Sequence, residues 1–405
     1  MGAVVGALAV VTVGLAPGAA ASDEQSKEWY LGPMQAEQMW KVSTGKGVKV
    51  AVIDTGVNAN TPSLKGQVLT DDVPKAVAYH ATVDYAGHGT SMAELIAGTG
   101  AGGGLKGLAP GAKIVPYRVQ LEGLKDSTEK EKTPEAWQAL RAAADSDAKI
   151  INMSFGGMTS DQDEAAVKYA ASKGKLLIAS VGNNAGQGKS GYIDFPAAYP
   201  YVIGVAASDK SATVSKFSSH GNYVDLAAPG EGFPGWCDAS FRSYCDNRNG
   251  TSPAAALTSA AAALIWSAHP DWTVNQIVRS LIDTAGRKWP KGDPSKYAGY
   301  GMIRPRVVLE DPHYNPGAPN VDPLAKDNGG DLLAKSATSP SPSPSASATS
   351  QAQEKGSTGA TSAAGSSAES SGGNSSTTWI VLGAVGAVVV IGGGALAVAR
   401  SRRAR

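Results

Sequence analysis

Between about Trp29 and Asp311, short β-branched runs alternate with segments of helical periodicity, and this pattern restricts the chain to a parallel sheet with helices on both faces. One α/β domain is expected. Four strands are read at Val48 to Ile53, Lys149 to Met153, Lys175 to Val181 and Val202 to Ala206, all apolar enough to be buried on both faces. Helices are expected from about His88 to Thr99, Pro134 to Asp145, Asp161 to Ser172, Ser252 to Ala268 and Thr273 to Thr284. Pro134 and Pro253 are assigned to first helical positions, which tolerate a missing N–H.

The two ends of the 405-residue chain differ from this middle. From about Ser336 to Thr378 the sequence is almost all Ser, Ala, Thr, Gly, Pro and Gln, with too few large apolar side chains to offset chain entropy. A disordered tether is expected, with a mean reach of roughly 35–40 Å. Trp379 to Ala399 carries no charge and as a helix would be about 30 Å long, the thickness of a bilayer core. We read it as a transmembrane helix. Arg400, Arg402, Arg403 and Arg405 then mark the cytoplasmic side, leaving the large domain outside. Ala3 to Leu15 and the small residues Ala19, Ala20 and Ala21 read as a signal peptide cleaved before Ser22. No Lys or Arg precedes that run, so either the initiator amine supplies the charge or the true start lies upstream of Met1.

Cys237 and Cys245 are the only cysteines, and in an exported chain they are expected to form one disulfide just ahead of Asn249-Gly250-Thr251-Ser252. There is no Cys/His cluster with zinc spacing. A net charge of +1 leaves no basic footprint and argues against a nucleic-acid partner.

Three strings occur once each, in order: Val-Ala-Val-Ile-Asp-Thr-Gly-Val around Asp54, Gly-His-Gly-Thr-Ser-Met-Ala around His88, and Asn-Gly-Thr-Ser ending at Ser252. Together they read as a Ser-His-Asp triad. Asp54 ends a strand, where open parallel sheets present their functional groups, and a carboxylate there can orient an imidazole. His88 begins a helix between two glycines that allow close backbone approach, so it is the candidate base. Ser252 opens a helix whose free amides could serve a nucleophile. Each residue alone would read as a turn or cap; the ordered set points to acyl transfer.

On these residues the chain resembles the subtilisin-like (S8 family) serine proteases over about Trp29 to Asp311. The resemblance implies a subtilisin-like three-layer fold with a mainly parallel sheet between helices. It also implies that Ser154, Phe155 and Gly156, in Ile151-Asn152-Met153-Ser154-Phe155-Gly156-Gly157, pair with an extended polypeptide substrate. Ser180 and Gly182, in Ala179-Ser180-Val181-Gly182-Asn183, would form the opposite wall, and Asn183 would hold the oxyanion. No cofactor is implied, although structural calcium in such proteases can use scattered backbone carbonyls. The family string usually runs Ser-Met-Ala-x-Pro after the nucleophile, whereas here Pro253 follows Ser252 and position 256 is Ala. Pro253 lacks an amide and disfavours helical geometry in the residue before it, but the serine's own amide survives.

The whole layout is similar to the mycosins, membrane-anchored proteases that accompany type VII secretion systems. It implies a signal peptide (1–21), a peptidase domain with a short N-terminal extension (22–311), a linker (312–378), the membrane helix (379–399) and a basic tail (400–405). The segment Ser22 to Val42 is too short for a folded inhibitory domain and is expected to wrap onto the catalytic domain. Three functions remain open: a protease serving type VII secretion, a protease-like scaffold of a secretion complex, and a general cell-surface subtilase.

Overall fold

The computed structural model describes residues 24–185 and 195–328. The expected signal peptide (1–21), the tether from Ser336 to Thr378, the membrane helix (379–399) and the basic tail (400–405) lie outside these residues. In chain order the elements are α1 (Ala36–Trp40), β1 (Lys49–Asp54), α2 (His88–Ala97), β2 (Lys113–Arg118), α3 (Ser127–Lys132), α4 (Ala136–Asp145) and β3 (Ile150–Met153). Then come α5 (Asp161–Ser172), β4 (Leu176–Ser180), β5 (Val202–Ser208), β6 (Leu226–Pro229), β7 (Phe233–Trp236), β8 (Tyr244–Arg248), α6 (Thr251–Ala268), α7 (Val274–Thr284) and α8 (Pro305–Leu309).

A six-stranded parallel sheet in the order β2-β1-β3-β4-β5-β6 forms the middle layer. Side chains alternate between two cores, as a period of two requires. Val50, Val52, Ile150 and Ile178 join the core under α2, α6 and α7, while Ala51, Ile53, Ile151 and Leu177 join the one under α4 and α5. The four expected strands are present. Two more sheet strands escape a search for β-branched runs because each carries a proline: Pro116 sits in edge strand β2, and Pro229 ends edge strand β6. An edge position tolerates proline because one side of the strand has no ladder to complete.

Three helix starts differ from expectation, the smallest difference being α7, which begins at Val274 because Thr273 is its N-cap. Helix α4 begins at Ala136, because Glu135 and Gln138 form a capping box that sets the start two residues beyond Pro134. Helix α6 begins at Thr251, so Ser252 is its second residue and Pro253 its third rather than its first. First-turn amides have no intrahelical acceptor, so proline there breaks no helical hydrogen bond. Helix α6 is apolar around its whole circumference and buried from Ala254 to Trp266, lying behind the sheet as a core element. Among the described residues, no helix is long and apolar enough to cross a membrane.

Residues 24–42 lie against the domain. Trp29 Nε1 donates to the Glu231 carbonyl (2.9 Å), Trp40 Nε1 donates to the Leu108 carbonyl (2.8 Å), and the Tyr30 ring stacks on Phe233 at 4.7 Å. Phe233 belongs to the β7–β8 hairpin, an antiparallel ribbon closed by the Cys237–Cys245 disulfide. The hairpin is fixed to α2 as well. The Trp236 amide donates to Ser91 Oγ (2.9 Å), and Tyr244 Oη donates to Glu94 (2.8 Å).

Glu94 is fully buried, and Thr61 Oγ1 also donates to it, at 2.8 Å. Burial disfavours its charge more than these hydroxyls favour it, raising its pKa to about 7. Glu28, buried against Tyr30 Oη (2.6 Å) and the Lys106 amide (2.9 Å), is raised by burial to about 8. A carboxyl whose folded pKa lies above its unfolded value favours folding fully below the unfolded value and loses that contribution as pH rises through the folded one. Between about pH 4.5 and 8, Glu94 and Glu28 therefore weaken the fold as it is made more alkaline. Glu94→Gln should raise stability by about 1–3 kcal/mol at pH 8 and change it little at pH 4.5, measured by urea unfolding at both pH values. An equal effect at the two pH values would contradict the assignment.

Candidate active site

Asp54 is the last residue of β1 and His88 the first of α2. Their side chains meet: His88 Nδ1 donates to Asp54 Oδ1 at 2.7 Å. The same oxygen accepts the Thr55 amide (2.8 Å), while Asp54 Oδ2 is buried without a hydrogen-bond partner. Half-burial of the ring opposes its charge, but the Asp54 charge and hydrogen bond outweigh that, so the His88 pKa lies above its ordinary value of 6.5. Gly89 makes this meeting possible. A Cβ there would stand 2.2 Å from the Gly56 carbonyl oxygen and 3.0 Å from Asp54 Cβ.

Asp84 organises the turn into α2 and was not singled out from sequence. Its Oδ1 accepts Thr55 Oγ1 (2.7 Å) and the amides of Ala86 (2.9 Å) and Gly87 (2.8 Å), and its Oδ2 accepts the amide (2.8 Å) and hydroxyl (2.6 Å) of Thr90. The only sequence signal is an Asp four residues before a helix-starting His. Such a residue resembles any turn aspartate until the helix start is known.

Ser252 lies on α6, and its hydroxyl donates to the Ser154 carbonyl at 2.8 Å rather than to His88. In return Ser154 Oγ donates to the Ser252 carbonyl (3.0 Å), Asn152 Nδ2 donates to Ser154 Oγ (2.9 Å), and Ser259 Oγ donates to Asn152 Oδ1 (3.0 Å). This network pins the start of α6 to the end of β3. Ser154 is 1% exposed, so its side chain is committed to that anchor. Asn183 Oδ1 accepts both the amide (2.9 Å) and the hydroxyl (3.0 Å) of Thr251. With its oxygen so engaged, the amide presents Nδ2 as the remaining donor.

His88, Ser252 and Asn183 line one cavity of about 170 Å³, with Phe233, Gly235 and Arg248 of the hairpin on its far wall. A larger cavity of about 920 Å³ is lined by Phe155, Gly156, Gly157, Leu121, Glu122 and Asn184. Phe155 and Gly156 thus stand on a concave surface. Ser180 and Gly182 are not among the lining residues of either cavity. Ser180 is buried at the end of β4, and the Gly182 amide, at φ 98°, donates to Thr251 Oγ1 (3.2 Å), so both shape the backbone that carries Asn183. Arg118 was also missed. It is buried at the end of β2, and its Nη2 holds Glu129 at 2.7 Å, tying α3 to the sheet beneath the 120–122 wall and bringing the Glu129 carboxyl down to about 2. Among the described residues, no group of three or more His, Cys, Asp or Glu is placed to hold a metal ion.

An imidazole bonded to a carboxylate and sharing a cavity with a serine, on a parallel α/β scaffold, is the arrangement a serine hydrolase of the subtilisin kind requires. The family model described as the subtilase family matches residues 45–301, and the chain belongs to that family of serine endopeptidases. Thermitase of Thermoactinomyces vulgaris is 33% identical over 292 residues, covering 67% of this chain and 95% of its own length. Subtilisin E of Bacillus subtilis (strain 168) is 34% identical over 272 residues, covering 66% and 67%. Among solved structures, the MycP3 protease from the type VII (ESX-3) secretion system matches with a TM-score of 0.56 at 30% identity, covering 69% of this chain and 87% of that one. MycP1 from Mycobacterium smegmatis matches at 0.58 and 25% identity, covering 76% and 89%. The expected subtilisin-like fold and enzyme class are met.

Gly89→Ala forces backbone against Cβ, and Asp84→Ala removes five hydrogen bonds around the His88 turn. Each should lower kcat/KM by about 10²-fold or more, the cost of misplacing a reacting group by about an ångström. Peptide hydrolysis and circular dichroism of the folded variants check this; near-normal turnover in either would contradict it.

Proposed function

We propose that this chain is a membrane-anchored, extracytoplasmic serine endopeptidase that works alongside a type VII secretion system. The observation that carries the catalytic part is the 2.7 Å His88–Asp54 bond on the wall of a cavity shared with Ser252 and Asn183. In the reaction, Ser252 Oγ turns from the Ser154 carbonyl toward His88, whose Nε2 is left to act because Nδ1 is held by Asp54. His88 takes the hydroxyl proton as Oγ attacks the substrate carbonyl, and returns it to the departing amine. The Ser252 amide, in the first turn of α6 where it has no helical acceptor, and Asn183 Nδ2 receive the oxyanion. Water then releases the acyl group by the same route.

The substrate backbone is proposed to lie along Ser154-Phe155-Gly156 as an added strand. The expected export signal, Trp379 to Ala399 and the basic tail support the location, and the likeness to MycP1 and MycP3 supports the secretion role. A scaffold function is the second reading. It draws on the Ser252 hydroxyl bonded away from His88 and on a matching structure described as MycP1, "an essential component of the type VII (ESX-1) secretion system".

A fluorophosphonate probe should label Ser252 in the folded full-length protein and leave Ser252→Ala unlabelled. Absence of labelling in folded wild type would count against catalysis. Asn183→Ala should reduce kcat by about 10²–10³, a figure known from subtilisin itself, with little change in KM. For the choice of function, Ser252→Ala should impair the partner secretion system if proteolysis is required. Secretion unchanged in that variant but lost on deletion of the whole chain would favour the scaffold.

A further inference from the structure

The proton that His88 returns must reach the leaving amine, so the departing half of the substrate lies on the His88 side of Ser252. That side is the cavity walled by Phe233, Pro234, Gly235 and Arg248. Arg248 ends β8 opposite Phe233, and its stem crosses Gly235, where a Cβ would meet Arg248 Cδ at 3.2 Å. One guanidinium nitrogen, Nη1, donates to the Trp236 carbonyl, which fixes the head at the cavity lip. Nε and Nη2 remain as donors in a planar fork suited to a carboxylate. Apart from titratable His88, Arg248 is the one charged side chain lining this cavity, and among the described residues it makes no ion pair.

We infer that Arg248 is a specificity-determining residue: it selects an acidic side chain just after the scissile bond and disfavours a basic one. The inference rests on the protease reading above and deepens it. Its charge also reaches His88, where it works against protonation and partly offsets Asp54 and Asp84. The selectivity is electrostatic and exposed to solvent, so it is modest and sensitive to salt.

The test is a randomised peptide mixture digested by the full-length protein, with cleavage sites read by mass spectrometry. Wild type should favour Asp and Glu over Lys and Arg at the first two positions after the cut by about three- to tenfold at low salt. That preference should shrink in about 0.5 M salt. Arg248→Gln should flatten it, and Arg248→Glu should reverse it. Cleavage by all three proteins with one unchanged preference would overturn the role of Arg248 and leave the protease reading standing. No cleavage by any of them, with Ser252 unlabelled by the fluorophosphonate probe, would overturn both.

Discussion

One hydrogen bond, from His88 Nδ1 to Asp54 Oδ1, joins the end of the inner strand β1 to the start of α2, and the surrounding architecture serves to hold it. A parallel sheet aims the carboxyl end of each strand at the same edge, which brings Asp54, Ser154 and Asn183 to one side of the molecule. The imidazole comes from outside the sheet. Asp84 therefore clamps the turn that delivers it, and Gly89 lets two backbones approach more closely than any side chain would allow.

The serine is held by an independent device. Helix α6 is anchored deep in the core by its apolar circumference, its first turn is fixed to the ends of β3 and β4 through Ser154 and Asn183, and its middle is fixed to β3 through the Ser259–Asn152 bond. The hairpin β7–β8 then covers α2 and contributes the far wall of the smaller cavity. It is itself held by the disulfide, by Ser91 and Glu94 of α2, and by the Trp29 and Tyr30 rings of the N-terminal segment. Strap, hairpin and helix α2 thus form one continuous packing unit around the candidate base.

Much of this could be read from the amino acids alone, for identifiable reasons. The four inner strands advertise themselves because burial on both faces demands unbroken apolar runs. Asp54, His88 and Ser252 were legible because each sits in a short string shaped by steric need, as Gly89 illustrates. Strand β2 was not, since Pro116 is acceptable only at an edge, and edge position is a property of the whole sheet. Asp84 and Glu94 were missed for a related reason: a carboxylate in a loop or helix reads as solvent-facing until its tertiary partners are known. Arg248 had no signal beyond proximity to Ser252, because the hairpin that presents it lacks strand periodicity and depends on the disulfide and α2 for its shape.

The central claim is that Asp54 holds the His88 ring and raises its proton affinity. Proton NMR titration of His88 in the wild-type protein tests it most directly, with Asp54→Asn as the comparison. The account predicts a midpoint above the ordinary imidazole value of 6.5 that falls in the variant. A midpoint at or below that value, or one indifferent to residue 54, would contradict it.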